Sequence, residues 1–224
     1  MFKGALFDLD GVIADTSVYH FQAWTKLSQD NFQRDLPAKL EEQTKGVSRA
    51  DSLQRILDYL QIQVTPDKFQ QLMKQKNEYY LKLLQTLTPK NILPGINQLL
   101  QTLSQSGVKL ALASASLNAP IILDRLQLSD YFAAIANPAE VKQGKPAPDI
   151  FLAAADGIKV KPQDCIALED SIAGIQAINQ AQAFSVGIGD SQELAAADIL
   201  FAQTKDLNIE QISNAYQQWQ EGQS

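Results

Sequence analysis

One cysteine, Cys165, is all this chain carries, so no intrachain disulfide can form. It sits in the apolar run CIAL and reads as a buried core thiol. Long hydrophobic runs are also missing. No stretch of about 18 apolar residues exists, which excludes a membrane-spanning helix. The N-terminal segment has no apolar region of signal-peptide type, because Asp8 and Asp10 interrupt it. A cytoplasmic protein is expected. Basic residues are outnumbered: 19 Lys and Arg face 25 Asp and Glu, giving a net charge of -6. That balance argues against nucleic acid or an acidic membrane surface as a partner held by bulk electrostatics. It leaves room for a small anionic substrate, because a few local cations can reverse the field in a cleft. Histidine occurs once, as His20, and a lone histidine on a helix reads first as structural.

What is present suits a globular enzyme. Of the 224 residues 45% are hydrophobic, enough for a sizeable core or a core with a smaller insertion. ALFDLD, residues 5 to 10, reads as a first strand. Strand side chains alternate, so Asp8 and Asp10 are expected on one face. Residues 16 to 87 change character. SVYHFQAWTKLSQ, SRADSLQRILDYL and TPDKFQQLMKQKNEYYLKLLQ carry apolar residues at three- and four-residue spacing and predict helices. Thr65 is a candidate N-cap with Pro66 in the first turn.

From about residue 92, strands and helices alternate. LPGINQLLQTLSQSG predicts a helix ending at Gly107, VKLALASAS a strand and LNAPIILDRLQL a helix. YFAAIANP is strand-like, and APDIFLAAADG a helix. CIALED, AFSVGIG and DILFA predict further strands, SIAGIQAINQAQ and the C-terminal DLNIEQISNAYQQWQEG helices. The alternation implies an α/β fold, a parallel sheet with helices on both faces. The helical block enters after the first strand, so it is expected as an all-α cap over the strand ends. The domains expected are 1–15 with 88–224 as the catalytic core, and 16–87 as the cap.

In open parallel sheets ligands bind beyond the carboxyl ends of the strands. The residues ending those strands are Asp8 and Asp10, then Ser114, Ala115 and Ser116, then Glu169 and Asp170, with Lys145 on a connecting loop. Carboxylates gathered at one edge repel one another and suit a hard divalent cation such as Mg2+. Ser114 and Lys145 add a hydroxyl and a positive charge suited to phosphate oxygens. Each piece alone has a bland reading. Acidic pairs cap turns, Ser114 is an ordinary strand-end hydroxyl, Lys145 a solvated lysine, and Glu169 and Asp170 favour the following helix start. Together, in this order, they point to phosphoryl transfer through a carboxylate nucleophile.

DLDGVIADT, SAS, KPAPD and LEDSIAG resemble the four signature segments of the haloacid dehalogenase (HAD) superfamily, whose core is a Rossmann-like three-layer fold. The resemblance implies that Asp8 is the nucleophile and Asp10 the general acid and base. It implies that Mg2+ is held by Asp8, the Asp10 backbone carbonyl and Asp170, with Glu169 in support, and that Ser114 and Lys145 grip the transferring group.

In the cap, KGVSRADSL resembles the motif of the β-phosphoglucomutase family, as do YHFQAW, KNEYY and NPAEV. That family interconverts β-glucose 1-phosphate and glucose 6-phosphate through β-glucose 1,6-bisphosphate. The resemblance places Arg49, Ser116 and Asn118 at a second phosphate site, with Ala115 between the two serines. Gly46, Val47 and Ser52 line the sugar pocket, Lys76 lies over the sugar, and His20 acts near Asp10. Trp24 reads as pocket lining or cap packing. Beside these roles, Ser48 and Asp51 also read as a capping-box start for a helix. The departures are Leu117 where relatives often carry Lys, Asn137 in place of Asp, and Thr44 in place of a larger apolar residue. Two other functions fit parts of the pattern. One is a sugar-phosphate or phosphoglycolate-type phosphatase on the same fold; the other is a phosphoacceptor receiver module, which would lack the cap. A monomer is expected, with hinges near residues 14 to 17 and 84 to 91.

Overall fold

The computed structural model describes residues 2–222. Its central sheet is built from β1 (Gly4–Phe7), β2 (Lys109–Leu112), β3 (Ala134–Ile135), β4 (Cys165–Glu169), β5 (Phe184–Ile188) and β6 (Ile199–Phe201). The strand order is β3-β2-β1-β4-β5-β6, and every pairing is parallel. Strand order reverses direction between β1 and β4, the point at which such sheets open a crevice. Phe7 lies opposite both Leu112 and Leu168. The residues that follow these three therefore emerge together along one edge.

All four residues of β1 and all five of β4 and β5 are buried, as expected of strands covered on both faces. Their alternation splits the core in two. Ala5, Phe7, Leu110, Leu112, Ile166 and Leu168 face one apolar cluster. It is closed by α5 (Ile96–Gln105), α6 (Ala119–Leu126) and α9 (Ile209–Gly222). Leu6, Ala111, Cys165 and Ala167 face the other, closed by α7 (Asp149–Gly157) and α8 (Ile172–Gln180). The result is the three-layer α/β core that the alternating pattern implies.

The inserted block holds α1 (Ser17–Phe32), α2 (Lys39–Thr44), α3 (Arg49–Leu60) and α4 (Pro66–Leu84). These helices enclose a third cluster of their own around Trp24, Leu27, Leu53, Ile56 and Leu72. The Thr65 hydroxyl accepts from Lys68 N–H at 3.3 Å with Pro66 in the first turn, and the Ser48 hydroxyl accepts from Asp51 N–H at 3.1 Å. The Asp51 carboxylate takes the Ser48 hydroxyl proton at 2.6 Å rather than the Ser48 N–H, so only half of a capping box forms. The chain enters and leaves this block side by side. Ala14 bridges Ile92, and Leu93 N–H donates to the Ile13 carbonyl at 2.9 Å. Among the described residues no helix is long and apolar enough to cross a membrane.

The structure differs from the pattern in four places. The first strand stops at Phe7 rather than Asp10. Asp8 keeps one ladder bond, to the Leu168 carbonyl, and the chain then turns at Gly11 with φ +76°. The strand-like YFAAIANP shrinks to Ala134–Ile135. The helix expected from Leu93 begins at Ile96, after Gly95 with φ +88°. Helix α2 has no counterpart in the sequence reading, being too short to show a period.

Candidate active site

Asp8 follows β1, Ser114 follows β2 by one residue, and Glu169 ends β4, so the parallel register brings them to one edge. Lys145 reaches the same place from the loop before α7. Its ammonium donates to Asp8 Oδ1 and Glu169 Oε2, both at 2.7 Å, and its side chain is fully buried. The Phe151 ring lies 4.9 Å beneath the nitrogen. Burial alone would discharge Lys145, but Asp8 and Glu169 outweigh it and hold its pKa above the ordinary lysine value. Asp8 moves the other way from what a simple ion pair would give. Burial first, and then the charge on Glu169, push its pKa well above 3.8 despite Lys145. One ammonium shared between two buried carboxylates leaves net negative charge, which adds to burial at Asp8 and outweighs burial at Lys145.

Asp170 adds a third carboxylate. Burial and Glu169 raise its pKa to about 7. Oxygens of Asp8, Glu169 and Asp170 lie within 4.8 Å of one another. An all-oxygen cluster with uncompensated charge fits a hard divalent cation. Glu169 has little left to offer such an ion. Its Oε2 is taken by Lys145, and its Oε1 accepts from the Ser171 hydroxyl at 2.7 Å and N–H at 3.2 Å. It therefore fits a supporting place, with Asp8 and Asp170 more open to the ion. Gly11 makes this approach feasible, since a Cβ there would stand 1.8 Å from Asp170 Oδ2.

Asp10 is turned to different neighbours from Asp8. The Thr16 hydroxyl donates to its Oδ1, and His20 Nε2 stands 3.8 Å from its Oδ2, beyond hydrogen-bond distance. The expectation that both carboxylates share a strand face fails because the strand ends before Asp10. Burial raises the Asp10 pKa in spite of the Thr16 bond. The Lys76 ammonium lies 2.6 Å from His20 Nδ1. Burial pulls the Lys76 pKa well below 10.5; where its ammonium donates to Nδ1, His20 is neutral with its proton on Nε2, toward Asp10. Burial and the Lys76 charge keep its pKa well below 6.5, consistent with that state. Lys76 is 1% exposed. It sits over the Trp24 and Tyr80 rings at 4.9 and 4.5 Å, which offset part of its lost hydration. The Tyr80 ring packs on His20 with centroids 3.9 Å apart.

Above these groups the helical block and the core enclose a cavity of about 290 Å³. Asp8, Asp10 and Asp170 line it, as do Arg49, Ser116 and Ala115. His20, Trp24, Gly46, Val47 and Ser52 complete the predicted lining. Ser114, Lys145, Glu169, Lys76 and Asn118 lie behind the wall instead. Ser114 is 1% exposed and its hydroxyl accepts from Ser116 N–H at 3.1 Å. Trp24 serves both lining and packing, being 2% exposed within the helical cluster.

Several residues that the sequence reading passed over complete the arrangement. Asn77 Oδ1 accepts from Arg49 Nη2 and from Asn118 Nδ2, both at 2.9 Å, joining helical block to core. Lys45 stands 3.3 Å from Asp170 Oδ2. Gly46, with φ +67°, passes so close to the core that a Cβ would lie 2.4 Å from Ser171 Oγ. The three departures are placed as follows. Leu117 lines the cavity and is 53% exposed. Asn137 bonds within its own loop, to Glu140 and Ala139. The Thr44 hydroxyl bonds back to the Leu40 carbonyl.

Comparison with known proteins agrees with this geometry. Residues 2–182 match the model of haloacid dehalogenase-like hydrolases. The chain is 44% identical over 221 residues to the β-phosphoglucomutase of Bacillus subtilis (strain 168), covering 97% of this chain and 96% of that protein. It is 28% identical over 181 residues to a phosphorylated carbohydrates phosphatase of Thermotoga maritima, covering 80% and 81% of the two chains. The crystal structure of a β-phosphoglucomutase from Clostridium difficile superposes with a TM-score of 0.95 at 41% identity, covering 98% of this chain and 99% of that one. The chain belongs to the haloacid dehalogenase-like hydrolase family.

Proposed function

We propose that this chain is a β-phosphoglucomutase, interconverting β-glucose 1-phosphate and glucose 6-phosphate through an aspartyl phosphate and β-glucose 1,6-bisphosphate. The observation that carries the reading is one cavity between cap and core lined both by an acid cluster, Asp8, Asp10 and Asp170, and by a cation and a hydroxyl, Arg49 and Ser116. On this reading the two sets serve the two ends of the substrate. A bisphosphate that must offer either end to one nucleophile needs two such sets. The Bacillus subtilis and Clostridium difficile relatives support the same activity.

In this reading an Asp8 oxygen forms a bond to the phosphorus of the bound sugar phosphate while the bond to the sugar oxygen breaks. Asp10 gives that leaving oxygen a proton, and takes one from the attacking hydroxyl in the next transfer. Its raised pKa equips it for both tasks. The Thr16 hydroxyl orients that carboxyl, and neutral His20 faces it with Nε2 at 3.8 Å. Lys145 and Ser114 balance charge on the transferring group. Asp8, Asp170 and the Asp10 backbone carbonyl would hold Mg2+, with Glu169 in support. A cation there would supply further positive charge against the phosphoryl oxygens. The helical cap, residues 16–87, swings about hinges near residues 14 to 17 and 84 to 91 to admit substrate and shut water out.

One observation favours a second reading, a sugar-phosphate phosphatase. Leu117 brings no charge to the cavity wall where a lysine would help hold the second phosphate, and a phosphatase is among the relatives. The test is to supply Mg2+, β-glucose 1-phosphate and a trace of β-glucose 1,6-bisphosphate, and to follow glucose 6-phosphate and free phosphate separately. Glucose 6-phosphate forming much faster than phosphate supports the mutase. Phosphate release dominating would overturn it in favour of the phosphatase.

A further inference from the structure

A second cleft, about 560 Å³, lies on the far side of the active-site wall. Asp15, Pro94, Asp190, Glu193 and Lys205 line it, and all five are exposed, so it opens to solvent. It has three lining residues in common with the sugar cavity: Ser17, Lys45 and Asp170. These three therefore border both the sugar cavity and the second cleft. Ser17 is held from the cleft side, its hydroxyl donating to Asp15 Oδ1 at 2.9 Å. Asp170 is fixed from the core side against Gly11. Lys45 is the long, movable piece. It projects from the cap loop beside Gly46, with its ammonium 3.3 Å from Asp170 Oδ2 and its side chain 26% exposed.

We propose that Lys45 is the positioning residue that seals the active site against water once the cap is down. The inference rests on the mutase reading. A phosphoenzyme must wait for a sugar hydroxyl, and any water reaching it competes. In that side reaction the water oxygen bonds to phosphorus, the bond from phosphorus to the Asp8 oxygen breaks, and inorganic phosphate leaves. The water proton passes to Asp10 and the Asp8 carboxylate is restored. The second cleft offers water another approach to the same groups. Lys45 borders both hollows with its ammonium at Asp170, and in this proposal its stem closes that approach.

The test compares Lys45→Ala, Lys45→Met and Lys45→Arg with the unaltered protein. The readout is the ratio of free phosphate to glucose 6-phosphate at saturating β-glucose 1-phosphate, where the cap is closed. Lys45→Ala empties the gap and should raise that ratio about tenfold. Lys45→Arg keeps both stem and charge, and Lys45→Met keeps the stem; both should stay within about threefold of the unaltered protein. Small-angle scattering with substrate bound should show Lys45→Ala as closed as the parent. An unchanged ratio in Lys45→Ala would overturn the proposal. So would an equal leak in Lys45→Met, which would assign the effect to charge, or an open cap in Lys45→Ala. Failure of the unaltered protein to make glucose 6-phosphate would instead overturn the mutase reading, and is visible before any variant is made.

Discussion

Three carboxylates and one buried ammonium meet at the edge of the sheet, and the imbalance sets the residue-scale behaviour. The pKa of Asp170 stands at about 7 against an ordinary 3.8, and Asp8 and Asp10 are shifted the same way. A carboxyl whose folded pKa exceeds its unfolded value favours the fold while it is protonated. Its contribution is complete below the unfolded pKa and is lost as pH rises through the folded one. The metal-free protein should therefore lose stability through Asp170 between pH 3.8 and about 7, with Asp8 and Asp10 acting in the same direction. A bound cation needs the ionised form, so its stabilising effect should grow over the same window. Melting curves with EDTA and with Mg2+ check this: the difference in Tm should be larger at pH 8 than at pH 5. A difference that shrinks with pH would contradict the charge account. Cys165 gives a second residue-scale prediction. It is fully buried, and burial pushes its thiol up to about 12. A thiol reagent at neutral pH should label it only after unfolding. Most of these residues were legible as residue types at strand ends. Their pairings were not. Lys45 with Asp170 and Asn77 with Asn118 join positions far apart in the chain, and no local pattern encodes such contacts. The nearest signal was KG in KGVSR, where a glycine that must pass close to the core brings its neighbour with it.

At the scale of elements, the strong periods were readable and the weak ones were not. Helices α1, α3 and α4 and the five longer strands follow from spacing and alternation. Helix α2 has six residues, under two turns, and β3 only two. Neither is long enough for a period to show. The end of β1 was read too late because Leu9 continues the alternation, although the turn at Gly11 has already drawn the chain away. Caps give a separable test. Thr65→Ala removes an exposed N-cap from α4 and should cost about 1 kcal/mol of stability. Denaturant melts should show it while product ratios stay unchanged. Gly46→Ala acts in the opposite sense. Its backbone sits at φ +67° and its Cβ would meet Ser171 Oγ at 2.4 Å. The cap loop could not seat against the core, so glucose 6-phosphate formation should fall by about tenfold or more while the fold melts normally. Equal activity in Gly46→Ala would mean that the loop does not need this close seat.

The whole molecule is a core with a covering block that has its own apolar cluster. Cap and core touch through polar contacts, among them Asn77 to Asn118 and Lys45 to Asp170, and through Ala23, Tyr80 and Leu84, which pack in the core cluster. A cap that opens must part the polar contacts first. Small-angle scattering should show the protein contracting when a sugar phosphate binds, and one rigid shape throughout would contradict the hinge. Closure matters because it decides what reaches the phosphoryl group on Asp8. The most direct measurement is a single turnover of enzyme phosphorylated in advance, challenged with β-glucose 1-phosphate or with buffer alone. The account predicts discharge by the sugar at least about a hundredfold faster than by water, and no phosphoenzyme from Asp8→Asn. Discharge at the same rate with and without the sugar would contradict it.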